Sequence, residues 1–199
     1  MCNIIPTSQI VLAANYKDSP AGFFSGFSDA WRKVKGQVIK LETRQVYREP
    51  GNPSFEELEK GNFEKAVELL PEARENDVEL YRQLSERNID FVRCRPVVAP
   101  LSTYLRWEIG CYDFNAKHGE RIFFTDRSSV FDEYALHDFM VFDRETAFIH
   151  NYDEQGEIRG GWIINDKNHI DILTMMFSII KASSVHYVSY MKSHSIDIG

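Results

Sequence analysis

The amino-acid sequence predicts an α/β fold, with α+β as the alternative, in which helices flank a mixed β-sheet. The first observation is the alternation in "QVIKLETRQVYRE", where Val38, Lys40 and Glu42 alternate with the intervening residues, as they do in a strand. The second is the order of segments after residue 88, which is strand, helix, strand, hairpin and helix. That order is typical of a sheet covered by helices, and it predicts antiparallel strands at residues 139–164.

The amino-terminal part of the chain is expected to cover this sheet. The "DSPAG" sequence at residues 18–22 is turn material, so we expect residues 1–22 to form an arm and residues 23–199 one globular domain. Within that domain, residues 23–88 should supply covering helices and a strand, and residues 89–199 the α/β core. Ser28 precedes "DAWRKVKG" and is the expected N-cap of a first helix.

Two further helices are predicted before residue 89. Ser54, with Glu57 three residues later, matches a capping box and predicts a helix start. Another helix follows Pro71, and its apolar stripe contains Val78 and Tyr81. Both segments are rich in charged residues, so we expect them to lie on the outside of the sheet.

The remaining segments predict the core elements. "IDFVRCRPVVAP" is rich in β-branched residues, and apolar residues then recur every three to four positions until Gly119, as in a strand followed by a helix. The short strand "ERIFFT" comes next, and the nearly continuous apolar run "DFMVFD" is typical of a strand buried on both faces. "DRET" and "DEQGE" supply turns, the second with Gly156 at positive φ, and Asn165, Asp166 or Asn168 is expected to cap a final helix.

The largest apolar side chains of two segments are expected to meet. The helix after residue 100 carries Trp107, and the buried strand carries Phe139, Val141 and Phe142. Since the element order stacks this helix on the sheet, we predict that these four side chains share one core.

Composition restricts the classes of function. The 199 residues have a net charge of −7, from 30 acidic and 23 basic residues, which disfavours general binding to nucleic acid or to anionic lipid. The 3 cysteines form no CxxC pair, which indicates neither disulfides nor thiolate zinc ligation and fits a cytoplasmic protein. No apolar run reaches the ~20 residues of a membrane helix, and no motif indicates a cofactor.

Four separated motifs carry a resemblance to a known family. "VIKLETRQVY", "RCRPVVAPLSTYLRWE", "HDFMVFD" and "HNYDEQGEIRGG" resemble, in order and spacing, an uncharacterised bacterial family that is often encoded near XRE-type helix-turn-helix regulators. The similarity covers about residues 27–166. It implies a regulator protein as a partner, and it implies no particular reaction.

A weaker resemblance concerns the fold. From Ile89 onward, the order of elements is similar to one half of a phospholipase-D-like domain. Catalysis in that superfamily uses a His-x-Lys-x-x-x-x-Asp motif, in which the His attacks phosphorus and the Lys neutralises its oxygens. None of the 6 histidines has Lys two residues later, so the resemblance implies the fold without this chemistry.

The residues around His150 have the types found in metal or acid–base sites. His150 and Asp153 lie near His137 and Asp138 in the sequence, but no spacing supplies the three or four ligands that zinc needs. We therefore expect no metal. His150 should lie on a face between adjacent strands. Asp153 should accept hydrogen bonds within one turn, and Asp143 should start another turn.

Four arginine and glutamate positions are candidates for a ligand or anion site. Arg93 and Arg95 share a face if residues 89–95 form a strand, and could bind a phosphate or nucleotide. Arg106 and Glu108 lie two apart in "YLRWE", so on a helix they point in different directions. Glu42 lies among apolar neighbours on a predicted strand and is expected to form a structural salt bridge, with Arg44 or Arg106 as the partner.

Two functions remain open from the sequence. The first is a non-catalytic binding or regulatory module, working with a helix-turn-helix regulator or a small anionic ligand. The second is an enzyme that acts on a small anionic or nucleotide-like substrate, with Arg106, Glu108, Asp143 and His150 as its candidate residues. The sequence does not determine the oligomeric state.

Overall fold

A computed structural model describes residues 7–12, 14–126 and 136–196 of the chain. Helices and strands alternate through most of this length, and several short helices separate the second strand from the third. In chain order the elements are α1 (Thr7–Leu12), β1 (Asn15–Lys17), α2 (Pro20–Lys33), β2 (Gln37–Leu41), α3 (Pro53–Glu59), α4 (Phe63–Glu68), α5 (Leu70–Ala73), α6 (Glu75–Glu86), β3 (Asp90–Val97), α7 (Thr103–Lys117), β4 (Arg121–Asp126), β5 (Phe139–Phe142), β6 (Thr146–Tyr152), β7 (Ile158–Ile164), α8 (Lys167–Ala182), β8 (Val185–His186) and α9 (Tyr187–Ser193).

The strands form one mixed sheet with the order β1-β7-β6-β5-β2-β3-β4-β8. Strands β2, β3 and β4 are parallel to one another, whereas β5, β6, β7 and β1 continue the sheet in antiparallel fashion. At the other edge, β8 is antiparallel to β4. The predicted mixed α/β sheet, with antiparallel strands at residues 139–164 and helices around it, is confirmed.

The two faces of the sheet bury different helices. On one face, Ile39, Leu41 and Phe139 pack against α8. On the other face, Phe91 and Phe142 pack against α2 and α6. Because successive side chains of a strand point to opposite faces, both helix layers can be anchored by the same strands.

The expectation of one shared core for Trp107 and the strand β5 is wrong in part. Trp107 is fully buried, as expected, but it packs with Tyr47, Phe55 and Tyr104 in a separate cluster between α7 and the short helices. The apolar side chains of β5 divide between the two faces of the sheet. The alternation of the strand therefore prevents all four side chains from meeting.

Two helix starts differ from the sequence-based expectation. Helix α2 begins at Pro20, and the hydroxyl of Ser19 accepts a hydrogen bond from the amide of Gly22 at 3.2 Å, so Ser19 rather than Ser28 is the N-cap. The start of α3 is capped by Asn52. In both cases proline occupies the first helical turn, where its missing N–H costs nothing.

The amino-terminal segment that was expected to form an arm contributes to the sheet over its described part. Strand β1 pairs with β7 through the partners Asn15 and Ile163, and the side chain of Ile10 is fully buried against the sheet. Residues 1–6 and 13 of this segment, and residues 127–135 and 197–199 of the predicted domain, lie outside the described residues.

The predicted turns are confirmed. Asp143 and Arg144 adopt positive φ between β5 and β6, and Gly156 has φ of 86° between β6 and β7. The carboxylate of Asp153 accepts the amide of Glu157 at 2.9 Å, as expected. Asp166 is the N-cap of α8.

Candidate functional site

A row of charged side chains lies on the face of the sheet that α2, α6 and α7 cover. The parallel register aligns Lys40 of β2 with Arg93 of β3, and Glu42 and Arg95 follow two residues further on the same face. All four lie toward the carboxyl ends of parallel strands. In open α/β sheets this end is where ligands commonly bind.

Glu42 is the centre of this charged row. Its carboxylate lies 2.9 Å from Arg93, 3.4 Å from Arg95 and 2.7 Å from Lys40, and it accepts a hydrogen bond from the hydroxyl of Tyr112 at 2.6 Å. Burial opposes the ionisation of Glu42, but Arg93, Lys40 and Arg95 together outweigh it and hold its pKa well below the usual range. Glu42 is thus an ionised, buried carboxylate, and its partners differ from the predicted Arg44 and Arg106.

The two arginines of β3 are neutralised by further groups. Arg93 donates to Glu120 through Nε at 2.6 Å and through Nη2 at 3.2 Å, and Glu120 also accepts the hydroxyl of Tyr81 at 2.5 Å. Arg95 is fully buried and donates to the carbonyl of Arg44 at 2.8 Å and to the hydroxyl of Tyr112. Neither guanidinium is therefore an isolated positive charge.

An open cleft of about 360 Å³ lies above this charged row. Its walls are α2 on one side and α6 with α7 on the other, and its floor is formed by β2, β3, β5 and β6. One end is apolar, lined by Phe24, Phe27, Trp31, Leu80 and Phe91. The other end is polar, lined by Lys40, Glu42, Glu49, Arg93, Tyr104 and Glu108. This volume is within the range of small-molecule pockets, roughly 300–1,000 Å³.

Two carboxylates at the polar end share one hydroxyl. The hydroxyl of Tyr104 lies 2.7 Å from Oε1 of Glu49 and 3.2 Å from Oε2 of Glu108. Burial raises the pKa of Glu108 to about 7, with smaller contributions from the negative charges of Glu49 and Glu42. Glu108 therefore changes protonation near neutral pH, which is a property of acid–base groups and of ligand-binding carboxylates.

His150 lies at the edge of the same cleft, on an inter-strand face as predicted. Its ring is buried and contacts Phe23 and Tyr152, with ring centroids 5.3 Å and 6.0 Å away. Burial lowers the pKa of His150 to about 4, partly opposed by the charge of Asp138. The imidazole is neutral at physiological pH, and its Nδ1 lies 3.4 Å from the carbonyl oxygen of Asp138.

The structure brings together some of the predicted site residues and separates others. Glu42, Arg93, Glu108 and His150 line the cleft, and Arg95 lies directly behind Glu42.

Arg106 and Asp143 do not line the cleft. Arg106 is exposed on α7, with its guanidinium 5.5 Å from the centre of the Phe63 ring. It points away from Glu108, as expected on a helix. Asp143 accepts the backbone amides of Lys35, Gly36 and Gln37 at 2.6, 2.9 and 2.8 Å. It thus fixes the loop between α2 and β2.

Several residues of the cleft were missed by the sequence analysis. Glu49 and Tyr104 lie 55 positions apart, and Glu120 meets Tyr81 from 39 positions away. Only tertiary contacts reveal these pairs. A signal was present for Tyr104, since it lies one turn before Glu108 on the predicted helix.

Comparison with solved structures defines the class of fold. The chain is similar to Nuc, a phospholipase D family member from Salmonella typhimurium, with a TM-score of 0.54 and 11% identity over 88% of this chain and 97% of that chain. It is also similar to NucT from Helicobacter pylori (TM-score 0.48, 9% identity, covering 86% and 99%) and to the archaeal chromatin protein TrmBL2 (TM-score 0.46, 10% identity, covering 87%). The chain spans 54% of TrmBL2. Among these three structures, Nuc has a TM-score above 0.5, and its similarity shows that this chain has a phospholipase-D-like fold. At 11% identity the similarity shows the fold alone.

The particular family follows from the sequence. Residues 25–192 match the family model of a domain of unknown function, DUF6879, and the chain belongs to this family. The resemblances to an uncharacterised family and to a phospholipase-D-like fold are thus confirmed. No curated protein sequence matches the chain significantly.

Among the residues that the structure describes, helices long and apolar enough to span a bilayer are absent.

Proposed function

We propose that this protein is a non-catalytic binding module that holds a small organic molecule in the cleft between α2, α6 and α7. The observation that carries the proposal is the cleft itself, in which an aromatic end adjoins a polar end above an ordered row of buried charges. Binding pockets characteristically combine apolar walls with a few fixed polar groups.

The chemistry around the histidines supports a binding role. The catalytic motif of the phospholipase D superfamily needs Lys two residues after His, and Phe139 occupies that position after His137. Phe139 is fully buried in the opposite face of the sheet. Each basic side chain described in the cleft lining is paired with a carboxylate, which suits a rigid binding surface better than a nucleophile.

A thermal-shift screen of the full chain against neutral, anionic and cationic small molecules tests this proposal. A bound compound should raise the melting temperature, and above Kd the rise should grow with the logarithm of the ligand concentration. The variant Leu80→Trp should abolish binding, because Leu80 lines the cleft from α6. The matched control is Val78→Trp, since Val78 is exposed on the same helix. Equal loss of binding in both variants, or binding unaffected in both, would contradict a site in the cleft.

One observation favours a second candidate, an enzyme that acts on a small anionic or nucleotide-like substrate. The pKa of Glu108 is raised to about 7, which places it where a general acid or base is most effective. Incubation of the protein with nucleotides and phosphodiesters, followed by mass spectrometry of the products, tests this candidate. Turnover that disappears in Glu108→Gln would establish it.

The last part of the proposal is that this protein works together with a regulator protein. The family resemblance suggests a helix-turn-helix regulator, which would respond to occupancy of the cleft. Co-purification of the chain with a candidate helix-turn-helix regulator, with and without a ligand from the screen, tests this role.

A further inference from the structure

The charges around the polar end of the cleft do not balance. Four glutamates meet there, and three basic side chains face them: Glu42, Glu49, Glu108 and Glu120 against Lys40, Arg93 and Arg95. Two further ion pairs include residues that line the cleft: Arg74 lies 3.0 Å from Asp77, and Arg48 lies 3.2 Å from Glu59. Apart from these two pairs, the described charged groups around the polar end comprise one more carboxylate than cations.

The excess carboxylate is at the Glu49 and Glu108 pair. Glu49 accepts hydrogen bonds from Asn52 at 2.9 Å and from Tyr104 at 2.7 Å, and within the described part of the chain no basic group lies within 4 Å of it. Glu108 is only 7% exposed. Its Oε1 lies 3.9 Å from Arg93, beyond hydrogen-bond distance, and accepts no hydrogen bond from the residues described.

A largely buried carboxylate whose free oxygen faces a cavity can be satisfied by water, by a proton or by a cation. In the absence of a ligand a proton can fill this role. A ligand with a positively charged N–H group would fill it better, because it satisfies Oε1 of Glu108 and neutralises the pair at the same time.

The rest of the cleft indicates what the remainder of such a ligand is. From the Glu49 and Glu108 pair the cleft continues to walls made by Phe24, Phe27 and Trp31. These rings pack edge to face, with Phe27 and Trp31 centroids 5.9 Å apart, and they present carbon surface to the cavity. A hydrated metal ion would leave this surface uncovered, whereas an apolar body would bury it.

We propose that the cleft binds a small organic cation, whose protonated amine lies between Glu49 and Glu108 and whose apolar body lies against the aromatic wall of α2. This inference rests on the proposed function and specifies its ligand class. It differs from the small anionic ligand expected from Arg93 and Arg95, because those guanidinium groups are already engaged by Glu42 and Glu120.

Binding of an amine should depend on pH in a defined direction. A cation at Glu108 competes with the proton that the raised pKa favours, so affinity should fall by up to tenfold per pH unit below about pH 7 and level off above it. The groups that face Glu108 come from several elements: Glu42, Glu49, Arg74, Arg93, Arg95, Tyr104, Cys111 and Tyr112.

The experiment uses three ligands of matched shape with the full chain: 2-phenylethylamine, 2-phenylethanol and 3-phenylpropionate. Isothermal titration calorimetry at pH 8 should show that the amine binds at least tenfold more tightly than the alcohol or the carboxylate. Glu108→Gln should weaken amine binding by tenfold or more and remove the pH dependence between pH 6 and 8. Glu49→Gln serves as the second variant if Glu108→Gln does not fold, and Glu64→Gln, which changes an exposed glutamate of α4, should bind as the unmodified protein does.

The outcomes separate the inference from the proposed function. Amine binding no tighter than that of the alcohol, or unchanged in both Glu108→Gln and Glu49→Gln, overturns the inference. If 3-phenylpropionate binds more tightly than the amine and Leu80→Trp abolishes that binding, the cleft is a ligand site and only the cation assignment fails. If Ca²⁺ or Mg²⁺ stabilises the protein and Glu108→Gln removes that stabilisation, the ligand is a metal ion and the amine assignment is wrong. If no compound of any charge binds in the broad screen, the proposed function fails as well.

Discussion

Removal of the Glu42 carboxylate should destabilise the fold severely, because it leaves buried arginines without their shared partner. In Glu42→Ala, Arg93 keeps its two hydrogen bonds to Glu120. Arg95 is fully buried, and among the described residues its remaining hydrogen-bond acceptors are the carbonyl of Arg44 and the hydroxyl of Tyr112. Breaking a buried ion pair from one side costs about 3–5 kcal/mol. For a chain of this length the melting temperature should fall by roughly 6–20 °C.

Urea denaturation followed by circular dichroism measures this loss at pH 7. Glu64→Ala, at an exposed position of α4, is the control and should remain within about 0.5 kcal/mol of the unmodified protein. Glu42→Gln keeps the shape and an acceptor for Tyr112, so it should lose less stability than Glu42→Ala. A loss below about 1 kcal/mol for Glu42→Ala would refute the reasoning, since that is the value of an exposed ion pair.

The pH dependence gives an independent check on the same residue. The pKa of Glu42 in the folded protein is well below that of a glutamate in the unfolded chain. The ionised carboxylate therefore contributes fully to folding stability above the unfolded pKa, about 4.3. That contribution is lost as the pH falls through the folded pKa. The difference in stability between the unmodified protein and Glu42→Ala should therefore be constant from pH 8 to pH 5 and should narrow in more acidic solution.

Three other predictions concern the fold. Trp107→Ala should cost about 3–5 kcal/mol in urea denaturation, because the ring is fully buried and its Nε1 donates to Ser54 at 2.8 Å; a loss near zero would contradict this packing. Asp143→Ala should cost about 1–3 kcal/mol, since three backbone amides lose their acceptor, and faster hydrogen exchange at Lys35 to Gln37 should accompany the loss. Because the pKa of His150 is lowered to about 4, the free energy of unfolding should fall by about 1.4 kcal/mol per pH unit as the pH falls from 6.5 to 4. His150→Gln should remove this fall; if the variant and the unmodified protein show the same dependence of stability on pH, His150 is not the group responsible.

Several features of the site were predictable because they depend on local periodicity. The alternation of β2 and β3 places Lys40 with Glu42, and Arg93 with Arg95, on one face of the sheet, whichever strands are neighbours. Helical periodicity likewise separates Arg106 from Glu108, and α7 shows the separation. The correct partners of Glu42 were not predictable, since Arg44 is close in sequence whereas Arg93 is 51 residues away.

Short-range physics made several elements predictable from the sequence: the alternating strands, a final helix capped by Asn165, Asp166 or Asn168, and the turns at Asp143 and Gly156. Each depends on backbone preferences and hydrogen bonds within a few residues. Tertiary packing was needed to show that β5 pairs with β2, that β1 lies at an edge of the sheet, and that Glu49 and Glu108 share the hydroxyl of Tyr104 in the cleft. These arrangements depend on which distant surfaces bury each other, and the free energy of that burial is a property of the whole packed chain rather than of any one segment.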